Sequence, residues 1–139
     1  MTRPALYLLD TNTCIYTMNR RPELVGVRVV EATEAGHEIG ISSITLHELW
    51  FGIYRSDRIP ANTRTLQELI ATLNVYTFDD VAANMAAGLR ADLKKTGRPI
   101  GPYDGLIAGH TLSLNAVLVT NNTGEFSRVA GLNYEDWTK

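Results

Sequence analysis

The chain alternates between short apolar segments and longer segments in which apolar residues recur every three or four positions. The first short segment, residues 5–9, is continuously apolar and ends in Asp10, which is typical of a strand buried on both faces of a sheet. The longer segments are typical of amphipathic helices, as the stripe from Leu66 to Leu73 illustrates. Strands are predicted at residues 5–9, 37–41, 75–78, 116–120 and near 132–134.

Residues that favour helix termini indicate where the predicted helices begin and end. Thr11 or Asn12 is expected to cap the first helix. Asp79 or Asp80 is expected to cap a later helix, and Pro102 is expected to open the last long one. The predicted helices span residues 11–18, 22–35, 42 or 43 to about 54, 60–74, 81–95 and 102 to about 114, followed by a helical turn at 125–128.

Strands and helices alternate from end to end, which predicts an α/β fold with a central parallel sheet and helices on both faces. We interpret residues 1–139 as a single domain, because no linker or repeat interrupts the pattern. In open α/β sheets, ligands bind beyond the carboxyl ends of the strands. Asp10 follows the first strand and Asn121 and Asn122 follow the strand at 116–120, so all three are expected at the functional edge.

Composition narrows the possible environments. Apolar residues make up 45% of the chain, enough for one core, and Cys14 is the only cysteine, so an internal disulfide or a zinc site built on paired cysteines is excluded. No apolar run approaches the length of about eighteen residues that a membrane span needs. We therefore predict a soluble cytoplasmic protein. The net charge of −2 argues weakly against a nucleic-acid partner, but setting aside three site carboxylates takes it to +1.

Two carboxylates stand at informative positions. Asp10 ends a buried strand, where it could serve a site or merely cap the next helix. Glu48 lies about one turn into a helix that is apolar on most sides. It is either solvated on a narrow polar strip beside His47 or paired, because an unpaired buried carboxylate would be costly.

A third carboxylate, Asp104, falls in the first turn of the helix that begins near Pro102. The helix dipole alone favours an acid there. Gly105 and Gly109, spaced four residues apart, predict that this helix packs closely against a neighbour and draws Asp104 inward.

Three carboxylates from separate segments are the donors that hard cations prefer. Mg²⁺ and Mn²⁺ bind such oxygens together with several water molecules. A cation held in this way makes water a better nucleophile and neutralises charge on a phosphate. The pattern therefore predicts a Mg²⁺ or Mn²⁺ site formed by Asp10, Glu48 and Asp104.

The sequence resembles the PIN-domain family, and within it the VapC toxins of bacterial toxin–antitoxin pairs. The resemblance is carried by LLDTN (8–12), the helix with Glu48, IGPYDGLIAGH (100–110), LVTNNTGEF (118–126) and the closing GLNYEDW (131–137). It implies a Mg²⁺- or Mn²⁺-dependent endoribonuclease that acts on RNA, forms a homodimer and is blocked by a VapB-like antitoxin. The catalytic set that it implies is Asp10, Glu48, Asp104 and Asn122, with the first three as metal ligands.

One position departs from the family pattern. Many PIN domains carry a fourth acid where this chain has Asn122, which could ligate a cation or orient water without adding charge. Glu125, three residues later, could supply the missing carboxylate. The hydroxyl residues listed next match positions that support the acids in the family, although capping or packing explains them almost as well: Thr11, Ser43 and Thr120.

The remaining polar and aromatic features have two interpretations each. Lys94, Lys95 and Arg98 could guide an RNA phosphate toward the cation or simply complement a helix C-terminus. The aromatic residues between 50 and 54 belong to the core or to a groove for an antitoxin helix. The three histidines lack metal-binding spacing and are interpreted as structural: His37, His47 and His110.

Two rival functions share features with this sequence. A phosphatase of the haloacid-dehalogenase kind also begins with a strand ending in Asp-Thr, but it requires an acid where Asn12 stands. A catalytically degenerate PIN fold that only binds partners in a repressor complex is the other. The presence of Asp10, Glu48 and Asp104 argues against it.

Overall fold

The computed structural model describes residues 3–139. Met1 and Thr2, which belong to the predicted domain 1–139, lie outside the described residues. The strands are β1 (Leu6–Leu9), β2 (Glu38–Ser42), β3 (Asn74–Tyr76), β4 (Val117–Val119) and β5 (Asn133–Glu135). The helices are α1 (Thr11–Asn19), α2 (Glu23–Glu34), α3 (Ser43–Tyr54), α4 (Ile59–Ile70), α5 (Asp80–Lys95), α6 (Pro102–Ser113) and α7 (Thr123–Phe126).

The five strands form one parallel sheet in the order β3-β2-β1-β4-β5. Strand β1 lies in the middle, where Leu8 pairs with Gly40 of β2 and Leu118 of β4. Chain order reverses at β1, since β2 lies on one side and β4 on the other. A crevice opens at such a point, so the carboxyl end of β1 is the expected place for a site.

Adjacent residues of β1 serve opposite faces of the sheet, as the alternation of a strand requires. Leu9 packs with buried residues of α1, α3 and α4, among them Cys14 and Leu66. Leu8 packs on the other face with residues of α5, α6 and α7, including Ile107 and Phe126. The prediction of a parallel sheet with helices on both faces is confirmed.

Helices α5 and α6 approach each other closely. A Cβ at Gly109 would lie 2.4 Å from the Cα of Ala86, and a Cβ at Gly105 would lie 2.8 Å from Cγ and Cδ of Arg90. The predicted close packing at these two glycines is therefore confirmed. It holds the first turn of α6, which carries Asp104, against the body of the protein.

Several predicted boundaries are wrong by a few residues. The helix predicted at 60–74 ends at Ile70, because the chain turns there and Asn74 already pairs with Gly40 as the first residue of β3. The turn predicted at 125–128 is the helix Thr123–Phe126, and the strand predicted near 132–134 is Asn133–Glu135. None of the helices between residues 3 and 139 has the length and apolar character needed to cross a membrane.

Candidate active site

Asp10 follows the central strand and begins α1. Its Oδ1 accepts a hydrogen bond from the backbone N–H of Thr13 at 2.8 Å, so Asp10, and not Thr11 or Asn12, caps the helix. Its own N–H donates to the carbonyl of Val119 at 3.0 Å, which ties it to β4. The pKa of Asp10 is raised, mainly because the side chain is buried. Hydrogen bonds from Thr120 and Thr13 oppose this effect, and the charge of Asp136 adds to it. Capping and a position at the sheet edge thus coexist in one residue.

Glu48 lies in the second turn of α3. That helix begins after β2, where Ser42 Oγ caps it by accepting from the N–H of Ile44 at 3.0 Å. Glu48 is half-buried, and its Oε1 accepts a hydrogen bond from Thr11 Oγ1 at 2.7 Å. The paired alternative is therefore the one that the structure shows, and Thr11 is the partner.

Asp104 lies in the first turn of α6, just beyond Gly101, and is half-buried. Its Oδ2 is 3.4 Å from Nδ2 of Asn122. Burial, followed by a hydrogen bond and the charge of Glu125, and then the charges of Asp10 and Glu48, raises the pKa of Asp104 to about 7. The three acids singled out in the sequence therefore lie close enough to act on one another.

Glu125 joins them from α7. Its Oε2 accepts from Asn122 Nδ2 at 2.6 Å, and its Oε1 accepts from the N–H of Gly101 at 3.1 Å. Hydrogen bonds from Asn122 and Asp104 lower the pKa of Glu125, so Asp104 is the member of this pair that retains a proton. The sequence marked Glu125 only as a possible substitute for a fourth acid, and the structure places it beside Asp104.

Of the three hydroxyl residues that could support the acids, only two contact them. Thr11 contacts Glu48, and Thr120 bonds to Asp10 while also accepting from the backbone N–H of Asn122 at 2.9 Å. Ser43 instead accepts from the N–H of Phe78 at 2.9 Å. Ser43 therefore fixes the segment after β3 and has no such role at the acids.

The carboxylates are not arranged to surround an ion as they stand. No three His, Cys, Asp or Glu side chains among residues 3–139 form a ready metal-binding group. Each acid is turned toward a protein donor instead: Asp10 to Thr13, Glu48 to Thr11, and Asp104 and Glu125 to Asn122. The donor set, all carboxylate oxygen, nevertheless fits a hard cation, and the side chains would have to rotate to bind one.

Two rings flank this acidic cluster (Asp10, Glu48, Asp104 and Glu125). His47 and Tyr103 each precede one of the acids in sequence, and their ring centroids lie 5.7 Å apart. Sequence patterns did not predict this contact, because it joins α3 to α6. The other two histidines are structural, as predicted: His37 accepts from the N–H of Ala5, and buried His110 bonds to Ser42.

An apolar groove of about 280 Å³ leads away from Glu48 between α1, α3 and α4. It is not lined by Trp50, Phe51 or Tyr54, the residues that the sequence suggested. Phe51 and Tyr54 are exposed, and Trp50 is partly buried against the core. The groove residues are Ile15, Met18, Asn19, Glu48, Leu49, Gly52, Ile53, Asn62 and Thr65.

Comparison with known proteins identifies the family. The family described as PIN domain matches residues 7–132. A Salmonella typhimurium protein named tRNA(fMet)-specific endonuclease VapC is 42% identical over 131 residues, which cover 94% of this chain and 97% of that protein. A Shigella flexneri protein of the same name is 40% identical over 132 residues, which cover 95% and 98%.

The fold gives the same result as the sequence comparisons. The crystal structure of VapBC2 from Rickettsia felis, bound to a DNA fragment from the promoter, superposes with a TM-score of 0.89 at 36% identity. The match covers 95% of this chain and 98% of that one. Sequence, fold and the acidic cluster at the sheet edge agree, and the chain belongs to the PIN-domain family and, within it, to the VapC ribonuclease toxins.

Proposed function

We propose that this ribonuclease depends on Mg²⁺ or Mn²⁺, with Asp10, Glu48 and Asp104 as the ligands. The observation that carries the proposal is the gathering of the acids: burial first, and then Glu125, Asp10 and Glu48, raise the pKa of Asp104 to about 7. Carboxylates gathered in this way repel one another, and a divalent cation would remove the repulsion. All the donors are oxygen, as Mg²⁺ and Mn²⁺ prefer.

The three proposed ligands have different roles in the site. When bound, a divalent cation would acidify water and offset the negative charge that gathers on the phosphate during cleavage. Asp10 is fixed by the start of α1 and Glu48 by Thr11, so these two would be the more firmly placed ligands of the cation. Asp104, in the first turn of α6, contacts both Asn122 and Glu125.

Asn122 presents its amide nitrogen, not its oxygen, to the acids. The sequence suggested that Asn122 is a cation ligand or orients water. We propose instead that it positions the neighbouring acids. It holds Glu125 and Asp104 in place by donating to both. Glu125, with both oxygens engaged, stabilises the loop at Gly101.

RNA is the proposed substrate, and initiator tRNA is the first one to test. The two relatives that are 40% and 42% identical are both named tRNA(fMet)-specific endonucleases. The initiator tRNA, an elongator methionine tRNA and ribosomal RNA would be incubated with the pure protein. Preferential cleavage of the initiator tRNA is expected, and cleavage confined to the other two RNAs would contradict this substrate assignment.

The proposed partner is a VapB-like antitoxin, because the superposed Rickettsia felis structure is a VapBC complex. A helix of that antitoxin would lie in the groove that ends at Glu48. A basic side chain at its end would reach the acidic cluster and form charge-assisted hydrogen bonds there. We also propose a homodimer, to be measured by sedimentation equilibrium, and a single domain over residues 1–139.

The decisive experiment is cleavage by the pure protein with and without the cation. Cleavage of RNA in Mg²⁺ or Mn²⁺, its loss in excess EDTA and its recovery on adding the cation back are expected. The variants Asp10→Asn and Asp104→Asn should fold and fail to cleave. Undiminished activity in EDTA would overturn the metal dependence. If the pure protein never cleaves RNA, but its complex with a partner binds DNA as a repressor, the degenerate binding module would be favoured.

A further inference from the structure

Arg90 of α5 lies across Gly105, the residue that follows Asp104. A Cβ at Gly105 would lie 2.8 Å from both Cγ and Cδ of Arg90 and 3.3 Å from its Nε. The absence of a side chain at Gly105 therefore leaves the room that the stem of Arg90 occupies. The arginine is exposed, so its charged end lies in solvent.

A concave pocket continues from Arg90 along α5. Arg90 and Lys94, one helical turn apart, line a cavity of about 290 Å³ whose opposite wall is formed by Pro99 and Ile100. The pocket therefore presents two cationic side chains over an apolar floor. A phosphate group with its attached sugar is a ligand that such a surface can accept.

The wall between this pocket and the acids is fixed at both ends. Arg128 Nη1 donates to the carbonyl of Pro99 at 2.8 Å, and the N–H of Gly101 donates to Glu125 Oε1 at 3.1 Å. The same short loop therefore borders the cationic pocket on one side and the acidic cluster on the other. Its two anchors hold the loop in place between them.

The negative charge of the acidic cluster would oppose the binding of RNA unless cations lay nearby. A phosphodiester in the acidic cluster has further phosphates on either side, and the carboxylates would repel them. Cations next to the cluster offset that repulsion and fix the register of the strand. Lys94 and Lys95 also complement the C-terminus of α5, but Arg90 lies more than one turn before the end, where the helix dipole has little effect.

We propose that Arg90, assisted by Lys94, is a positioning residue that holds a backbone phosphate of the RNA next to the one being cleaved. The proposal rests on the proposed ribonuclease function and names its substrate contact. Contact with Gly105 restricts the stem of Arg90, so less conformational freedom is lost when the phosphate binds.

The test uses Arg90→Gln and a single-stranded RNA oligonucleotide that the wild type cleaves. KM should rise about tenfold with kcat nearly unchanged, as expected for the loss of one charge-assisted contact to bound substrate. The slope of log(kcat/KM) against log[KCl] should become shallower by about 0.7, the value for one phosphate contact on a single strand. Arg64→Gln, the same change at an exposed site on α4, should leave KM, kcat and the slope unaltered.

A second variant tests the role of the glycine. Gly105→Ala forces the Arg90 stem to move, so it should raise KM in the wild-type background and add little in the Arg90→Gln background. An unchanged salt slope in Arg90→Gln, with the wild type active, overturns this inference and leaves the ribonuclease function standing. A fall in kcat alone would also overturn it. A wild type that cleaves no RNA would overturn both.

Discussion

Asn122 Nδ2 donates a hydrogen bond to Glu125 Oε2 at 2.6 Å. The same nitrogen lies 3.4 Å from Asp104 Oδ2. An amide that donates to two carboxylates reduces their repulsion without adding charge. Asn122 thus stabilises the cluster in the absence of a cation, which a carboxylate at this position would not do.

The first prediction concerns Asn122→Asp. The change removes the donor to Glu125 and adds a charge beside Asp104, so the metal-free protein should lose about 1–3 kcal/mol of unfolding free energy near pH 8. Added Mg²⁺ should then stabilise the variant more than it stabilises the wild type. Thermal denaturation in EDTA and in Mg²⁺ measures both. An equal or smaller response to Mg²⁺ in the variant would contradict the positioning role of Asn122.

The second prediction concerns the pH dependence of stability without metal. The pKa of Asp104 is about 7 in the folded protein against 3.8 ordinarily, so between these values the folded state binds more protons than the unfolded state. The free energy of unfolding should therefore fall as the pH rises from about 4 to about 7. Glu125, whose pKa is lowered from 4.5, acts in the opposite sense at lower pH.

Asp104→Asn removes this titration while keeping the shape of the side chain. The variant should be more stable than the wild type at pH 8 by about 1–2 kcal/mol, a figure reduced from the full pKa shift because the group is half-exposed and screened. Asp57→Asn, at an exposed loop position, is the control and should not change the pH profile. Denaturant unfolding in EDTA at several pH values provides the measurement, and parallel profiles for the wild type and Asp104→Asn would refute the assignment.

The third prediction concerns Thr11→Val. Loss of the 2.7 Å hydrogen bond to Glu48 Oε1 frees that carboxylate to take other rotamers. Cleavage at limiting Mg²⁺ should drop about 10- to 100-fold, the usual effect of removing a group that orients a ligand, and more Mg²⁺ should restore part of it. Thr17→Val is the control, since its hydroxyl bonds only to the backbone carbonyl of Thr13 in the same helix. Equal activities of the two variants at every Mg²⁺ concentration would exclude Thr11 from the site.

Much of this arrangement follows from local sequence patterns. The run that ends in Asp10 fixes a buried strand, and strand alternation then assigns Leu8 and Leu9 to opposite faces. Asp10 follows a strand and the other acids lie in the first two turns of helices that follow strands or loops at that edge, so their common edge could be predicted from the parallel topology.

The contacts between distant elements could not be predicted in this way. The pairing of Thr11 with Glu48 depends on how α1 and α3 cross, and the placement of Arg90 depends on how α5 packs on α6. Hydrophobic periodicity states which face of a helix is buried, but it does not state which neighbour covers it. For the same reason the sequence left open whether the aromatic residues of α3 belong to the core or to a groove, whereas Leu49, Gly52 and Ile53 of that helix line the groove.

The last prediction concerns the antitoxin. Ile15 lies on α1, is 37% exposed and lines the groove that ends at Glu48. Ile15→Lys places a charge in an apolar contact without emptying the core, so the protein should fold and still cleave RNA. Its affinity for the antitoxin should fall about a hundredfold or more, as expected for a charge introduced at the centre of an interface. Val81→Lys, an exposed site on the opposite face of the sheet, is the control.

Expression in the native host with the neighbouring gene deleted turns this into a test of the toxin function. The wild type should arrest growth alone and be neutralised by the antitoxin, whereas Ile15→Lys should arrest growth even when the antitoxin is present. Asp104→Asn should be harmless alone and still bind the antitoxin, because the groove is unaltered. Neutralisation of Ile15→Lys as complete as that of Val81→Lys would place the antitoxin elsewhere. Harmless expression of the wild type would contradict the toxin function, and the ribonuclease would then need another role.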